Sequence, residues 1–277
     1  MLRNIEFADP YYLYLLILIP LYLLWHYYRA NKDEGIDIVL AMDISGSMKA
    51  EDFKPNRMEA SKDVAMEFVK SRPTDRIGIV VYSGESFTQC PLTLDHSIAK
   101  NLLGDINIGM IEDQSTAIGM GLATSVNRLK DSKAKSKVVI LLTDGVNNSG
   151  FIDPVTAAEI AKQFNIRVYT IGVGTYGKAP FPFEGPFGTQ YQDIDVKIDE
   201  DVLMQVAEIS GGKYFRANTK NKLKTIYDEI DLMEKTELES IAYQRYEELF
   251  YKYLFIGFLL LVVEHTLRLT IFKSRLT

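Results

Sequence analysis

The sequence predicts an α/β protein: a doubly wound, mostly parallel sheet with helices on both faces, flanked by an N-terminal and a C-terminal transmembrane helix. Three observations predict it. Short, continuously apolar runs have the length and β-branched content of strands covered on both sides. Between them lie segments whose apolar residues recur at helical spacing. Each end carries a long stretch almost free of charge.

In order, residues 36–42 (IDIVLAM) form the first predicted strand. Residues 57–70 place Met58, Val64, Ala65, Phe68 and Val69 on one helical face. RIGIVVY (76–82) is the second strand. Residues 117–130 read as a helix and KVVILLT (137–143) as the third strand. Residues 154–164 form a helix with proline at its start. IRVYTIGVG (166–174) is the fourth strand. A helix over 199–209 is capped by Asp199 and stopped by Gly211 and Gly212. Residues 213–216 form a short strand. Residues 219–233 align Leu223, Ile226, Tyr227, Ile230 and Met233 in one stripe. No internal repeat or low-complexity tract interrupts this order.

The ends read as membrane anchors. Tyr11 to Tyr28 (YYLYLLILIPLYLLWHYY) has aromatic residues at both edges, as an interfacial belt would. Only Arg3 precedes it and no small-residue cleavage site follows, so it reads as an uncleaved anchor rather than a signal peptide. Leu254 to Phe272 is apolar except for Glu264, His265 and Arg268. Glu264 and Arg268 are four apart and share a helix face. They read either as an ion pair with the arginine reaching outward, or as a contact with another membrane subunit. Lys273 and Arg275 place the C-terminus in the cytoplasm. The expected division is therefore 1–34 anchor and linker, 35–235 central domain, 236–277 helical stalk and second anchor.

The composition narrows the function classes. The chain has 277 residues and a net charge of −6, without a basic block of the kind that binds nucleic acid. The single cysteine, Cys90, excludes an internal disulfide and a cysteine-based zinc site. There is no glycine-rich phosphate loop with lysine and no G-x-S-x-G elbow. Of the three histidines, His26 and His265 lie in the anchors, and His96 follows Asp95 at a helix start. The chain thus reads as a non-enzyme, the alternatives being a Mg²⁺-dependent hydrolase or phosphoryl-transfer enzyme, or a structural subunit with a vestigial metal site.

Oxygen-bearing side chains gather where strands end. Asp43, Ser45 and Ser47 follow the first strand, Thr116 precedes a helix, and Asp144 follows the third strand. In an open α/β sheet, ligands bind outside the carboxyl ends of the strands. A single aspartate there is more often a turn or helix cap. Two carboxylates and three hydroxyls form an oxygen-only set that suits a hard cation, Mg²⁺ above all, with Mn²⁺ or Ca²⁺ as alternatives.

Those motifs, D-I-S-G-S, T-A-I-G and L-L-T-D-G, resemble the von Willebrand factor A domain. The resemblance implies a metal-ion-dependent adhesion site, with Asp43, Ser45, Ser47, Thr116 and Asp144 as ligands, some through water. It also implies an open coordination position that a partner's acidic residue fills. FADPYYL at the start, EDFKPNRMEASKDVA and GESFTQCPLTLDH resemble the BatA proteins of the aerotolerance operon. That likeness implies assembly with other Bat-type membrane proteins in the bacterial inner membrane, and a link to a MoxR-type AAA+ ATPase. BatA-type chains usually have a further hydrophobic helix before the A domain, whereas here RANKDEG (29–35) joins anchor and domain directly. With either number of helices the domain is expected in the periplasm. Finally, residues 174–193 read as a long loop over the metal edge. Phe181, Phe183, Phe187 and Tyr191 there either form an apolar rim that binds a partner or pack on the domain itself.

Overall fold

The computed structural model describes Tyr22, residues 35–185 and residues 188–270; within 238–270, side chains are described for 253–262 and 264. Apart from Tyr22, the first expected anchor lies outside the described residues, as do Phe187 and the side chain of Arg268.

A six-stranded sheet has the order β3-β2-β1-β4-β5-β8. β1 (Asp37–Asp43) lies between β2 (Arg76–Tyr82) and β4 (Lys137–Thr143), parallel to both. β5 (Arg167–Val173) and β8 (Tyr214–Ala217) extend the parallel sheet. β3 (Ser86–Thr93) pairs antiparallel with β2 and closes one edge. The chain winds outward from β1 in one direction, then restarts at β4 in the other, so the switch point lies between β1 and β4.

Period-two alternation divides β1 between two cores. Ile38, Leu40 and Met42 face one core, formed with α1 (Arg57–Lys70), α2 (His96–Gly104) and α6 (Lys220–Thr270). Val39 and Ala41 face the other, formed with α3 (Ile118–Leu129), α4 (Pro154–Gln163) and α5 (Glu200–Ser210). This two-sided burial is what the continuous apolar runs require. Met58, Val64, Ala65, Phe68 and Val69 are all buried, as are Leu223, Ile226, Tyr227 and Ile230. Asn56, Asp95, Asp153 and Asp199 each cap a helix by accepting backbone N–H bonds. Gly211 ends α5 in the left-handed conformation, at φ 80°.

The segment expected to be a loop is a β-hairpin. β6 (Lys178–Gly185) and β7 (Gly188–Asp195) pair antiparallel in a separate two-stranded sheet. Pro182 faces Tyr191 across the hairpin, while Phe181 faces Gln192 and Phe183 faces Gln190. Phe181 and Phe183 therefore share one face and Tyr191 lies on the other. Phe181 and Phe183 pack at 5.0 Å between ring centroids. The Tyr191 hydroxyl donates to Glu51 at 3.1 Å.

α6 is one continuous helix from the last core stripe to Thr270. Glu234 ties it to the starts of β4 and β5. Its buried carboxylate accepts from Ser136 at 2.7 Å, from Tyr169 at 2.6 Å and from Arg167 at 2.6 and 3.0 Å. The chain enters the sheet at the same edge, where Asp75 accepts from the Ile36 N–H and from Arg72, and Arg72 also pairs with Asp231 of α6. Among the described residues no helix is long and apolar enough to cross a membrane. Residues 253–262 of α6 are nonetheless exposed on every side, including Leu254, Phe255, Ile256, Phe258 and Leu260.

Candidate metal centre

The carboxyl ends of β1 and β4 bring Asp43 and Asp144 together at the switch point. Asp43 is fully buried. Its Oδ1 accepts from the Ser45 N–H at 2.9 Å and its Oδ2 from the Thr143 hydroxyl at 2.7 Å. The turn that makes the first bond also directs the next residues inward. The Ser45 and Ser47 hydroxyls lie 3.0 Å apart, and Ser47 donates to Asp144 Oδ1 at 2.6 Å. Four of the five expected ligands, Asp43, Ser45, Ser47 and Asp144, are thus joined in one hydrogen-bonded group.

Thr116 comes from the loop before α3. Its N–H donates to Asn148 Oδ1 at 2.8 Å, and its carbonyl accepts from the Asn148 N–H at 3.0 Å. Asn147 Oδ1 accepts from the Ile118 N–H in the same way. The loop after Asp144 therefore holds the loop that carries Thr116. Gly145 is what allows the approach: a Cβ there would stand 3.2 Å from the Thr116 hydroxyl. The Gly46 N–H donates to the carbonyl of Gln114, at 3.3 Å, which ties this loop to the serine loop as well.

Burial raises the pKa of Asp43 from its ordinary 3.8 to about 7, and the nearby Asp144 carboxylate adds to the shift. Burial raises Asp144 too, against the opposing pull of Arg57. Two desolvated carboxylates without enough positive charge between them are costly unless a cation or a proton is supplied. Among the described residues no group of three His, Cys, Asp or Glu side chains could hold a metal. What the fold offers is two carboxylates completed by hydroxyls, which fits a hard divalent cation and leaves water among its ligands.

One participant is absent from the sequence expectation. Arg57, whose side chain is 2% exposed, donates from Nη1 to Asp144 Oδ2 at 2.8 Å. Its Nε and Nη2 both reach Asp52 at 2.7 Å. Asp52 also accepts from the Thr175 N–H at 2.8 Å. Burial works against the Asp52 carboxylate, but Arg57 and Thr175 hold its pKa below the ordinary value. Gly174 is at φ 147°, and a Cβ there would lie 2.9 Å from the guanidinium. The available signal was a cation in the first turn of a helix, where the helix dipole disfavours it. His96, by contrast, lies at the opposite edge of the sheet, with Nε2 2.9 Å from the backbone carbonyl of Asp75.

The structure thus gathers carboxylates and hydroxyls at the switch point of a doubly wound α/β sheet. Residues 37–229 match the von Willebrand factor type A domain, and the chain belongs to that family. Within it, the chain is similar to Bat-type proteins. Crystallised BatB from Bacteroides thetaiotaomicron is 31% identical, with a TM-score of 0.64 over 73% of this chain and 100% of that one. An aerotolerance-related membrane protein from Bacteroides fragilis is 29% identical, with a TM-score of 0.62 over 70% of this chain and 98% of that one. A protein of Borreliella burgdorferi is 29% identical over 83% of this chain and 67% of its own length. A UPF0353 protein of Mycolicibacterium paratuberculosis is 27% identical over 74% and 63%. The chain thus spans about two thirds of the length of these curated relatives. Proximal thread matrix protein 1 of the mussel byssus, 23% identical with a TM-score of 0.54 over 70% of this chain and 46% of that one, shares the fold, and its adhesion motif is occupied by zinc.

Proposed function

We propose that this chain is a membrane-anchored binding module that docks an acidic residue of a partner protein at a divalent-metal site. The observation that carries the reading is the buried pair Asp43–Asp144, linked through Ser45 and Ser47 and short of positive charge. Asp43, Ser45, Ser47, Thr116 and Asp144 would hold the ion, with Mg²⁺ as the first choice and Mn²⁺ or Ca²⁺ as alternatives. Such an ion would neutralise the two carboxylates and could take an anionic side chain as a further ligand. The protein's own part is positional. Ser45 N–H and Thr143 orient Asp43, Arg57 and Ser47 orient Asp144, and the asparagine pair after β4 sets Thr116. Oriented acceptors beside an anion-binding position favour recognition rather than bond cleavage. In this reading the bonds of Ser47 to Asp144 and of Thr143 to Asp43 orient the carboxylates.

The architecture supports an anchored arrangement. Entry to β1 and exit along α6 share one edge of the sheet, and the metal edge lies a strand's length away, about 20 Å. Residues 1–34 and 236–277 would form the anchors and stalk, with the exposed apolar run of α6 inside the bilayer. The metal edge would then face away from the inner membrane, into the periplasm, towards other Bat-type membrane proteins. A link to a cytoplasmic MoxR-type ATPase would run through the membrane helices, where Glu264 and Arg268 are available. The test is co-purification from crosslinked membranes. A Bat-type partner should be recovered with Mg²⁺ and lost with chelator or with Asp43→Ala. Equal recovery under all three conditions would rule out metal-dependent docking.

A further inference from the structure

We infer that Arg57 and Asp52 set the site's selectivity for an anionic partner by fixing the net charge of the buried group. The inference deepens the docking reading and rests on it. Asp43, Asp52 and Asp144 carry three negative charges when ionised, and Arg57 carries one positive charge. Arg57 joins Asp144 through a 2.8 Å bond and Asp52 through two 2.7 Å bonds, and Asp43 is linked to Asp144 through Ser45 and Ser47. The side chains of Arg57, Asp52 and Asp144 are 2%, 3% and 0% exposed, so water does little to screen them. The sum is minus two, which one divalent cation cancels. The loaded site is then neutral, and the ion's charge is not over-compensated before a carboxylate arrives.

The guanidinium in the first turn of α1 is opposed by desolvation and by the helix dipole, yet its bonds to Asp52 and Asp144 outweigh both and favour its charged form. The charge has a use at the metal edge. Removing it leaves the loaded site at minus one, which should hold the cation harder and repel an incoming anion. Neutralising Asp52 does the reverse. Asp52 also holds the Thr175 N–H at the base of the hairpin, so the element beside the docking edge is fixed by the same carboxylate.

The test uses the full chain in detergent at pH 8, with Mn²⁺ as the probe metal and acetate as the probe anion. Free Mn²⁺ is counted by electron paramagnetic resonance, and acetate binding is read from water displaced from the bound ion. Arg57→Met should bind Mn²⁺ about tenfold more tightly and acetate about threefold more weakly, the shifts expected for one unit charge near the ion even at the dielectric of water. Asp52→Asn should show the opposite pair of changes, and the double variant should return both towards wild type. A purely structural role would weaken both ligands in every variant, and that result would overturn the inference. If Arg57→Met does not fold, Asp52→Asn decides alone: weaker Mn²⁺ with tighter acetate supports the inference, and any other pairing overturns it. Wild-type protein that binds no Mn²⁺ would overturn the docking reading itself, whereas wild type that binds Mn²⁺ with unshifted variants would overturn only this inference.

Discussion

Replacing Asp43 with asparagine should stabilise the metal-free protein at alkaline pH while abolishing its response to metal. The carboxyl of Asp43 titrates at about 7 in the fold against an ordinary 3.8. A raised carboxyl pKa means the folded state holds its proton longer than the unfolded state does. Stability is therefore full below pH 4, falls as pH rises through the window from about 4 to about 7, and stays low above it. A gap of roughly three pH units corresponds to about 4 kcal/mol at pH 8. Asparagine removes this titration and keeps the local bonds. Its oxygen can accept from the Ser45 N–H, and its amide can donate to the Thr143 hydroxyl. In chelator at pH 8, thermal unfolding of Asp43→Asn should occur roughly 10 °C above wild type, the shift that about 4 kcal/mol gives in a domain of this size. At pH 4 the two should nearly coincide. Millimolar Mg²⁺ should raise the wild-type midpoint and leave the variant unchanged. A variant less stable than wild type at pH 8 in chelator, or a difference independent of pH, would refute the reasoning.

Three further outcomes are expected. Mg²⁺ affinity should fall about tenfold per pH unit below pH 7, because the ion then competes with the proton on Asp43; calorimetry between pH 5.5 and 8.5 checks this. Glu234→Gln should cost about 3 kcal/mol in chemical denaturation, since it leaves Arg167 without its buried partner where α6 meets the sheet; an unchanged midpoint would show that the contact does not hold the helix. Replacing residues 178–195 with a short linker should leave a cooperative unfolding transition but abolish partner recovery from membranes, and undiminished recovery would remove the hairpin from the docking surface.

The parallel strands were legible because β1, β2, β4 and β5 are buried on both faces and are therefore apolar at nearly every interior position. β3 lacked that signal. It is a partly exposed antiparallel edge strand with a register shift and an internal proline, Pro91. The hairpin was read as a loop for a related reason. Pro180 and Pro182 break the usual strand pattern, yet they sit at alternate positions, and the Pro180 carbonyl accepts from the Glu51 N–H at 2.9 Å. The aspartate and serines of the metal centre were legible because they lie close together after one strand. Arg57 was not, because it meets Asp144 from 87 residues away and only the folded chain brings them together. The same holds for Asn148, whose pairing with Thr116 spans 32 residues.

The most direct test of the central claim is calorimetric titration of the full chain with Mg²⁺ at pH 8, wild type beside Asp43→Ala. The account predicts a single saturable site in the wild type and no binding in the variant. Equal heats in both proteins, or none in either, would contradict the claim that the switch point of this sheet is built to hold a metal.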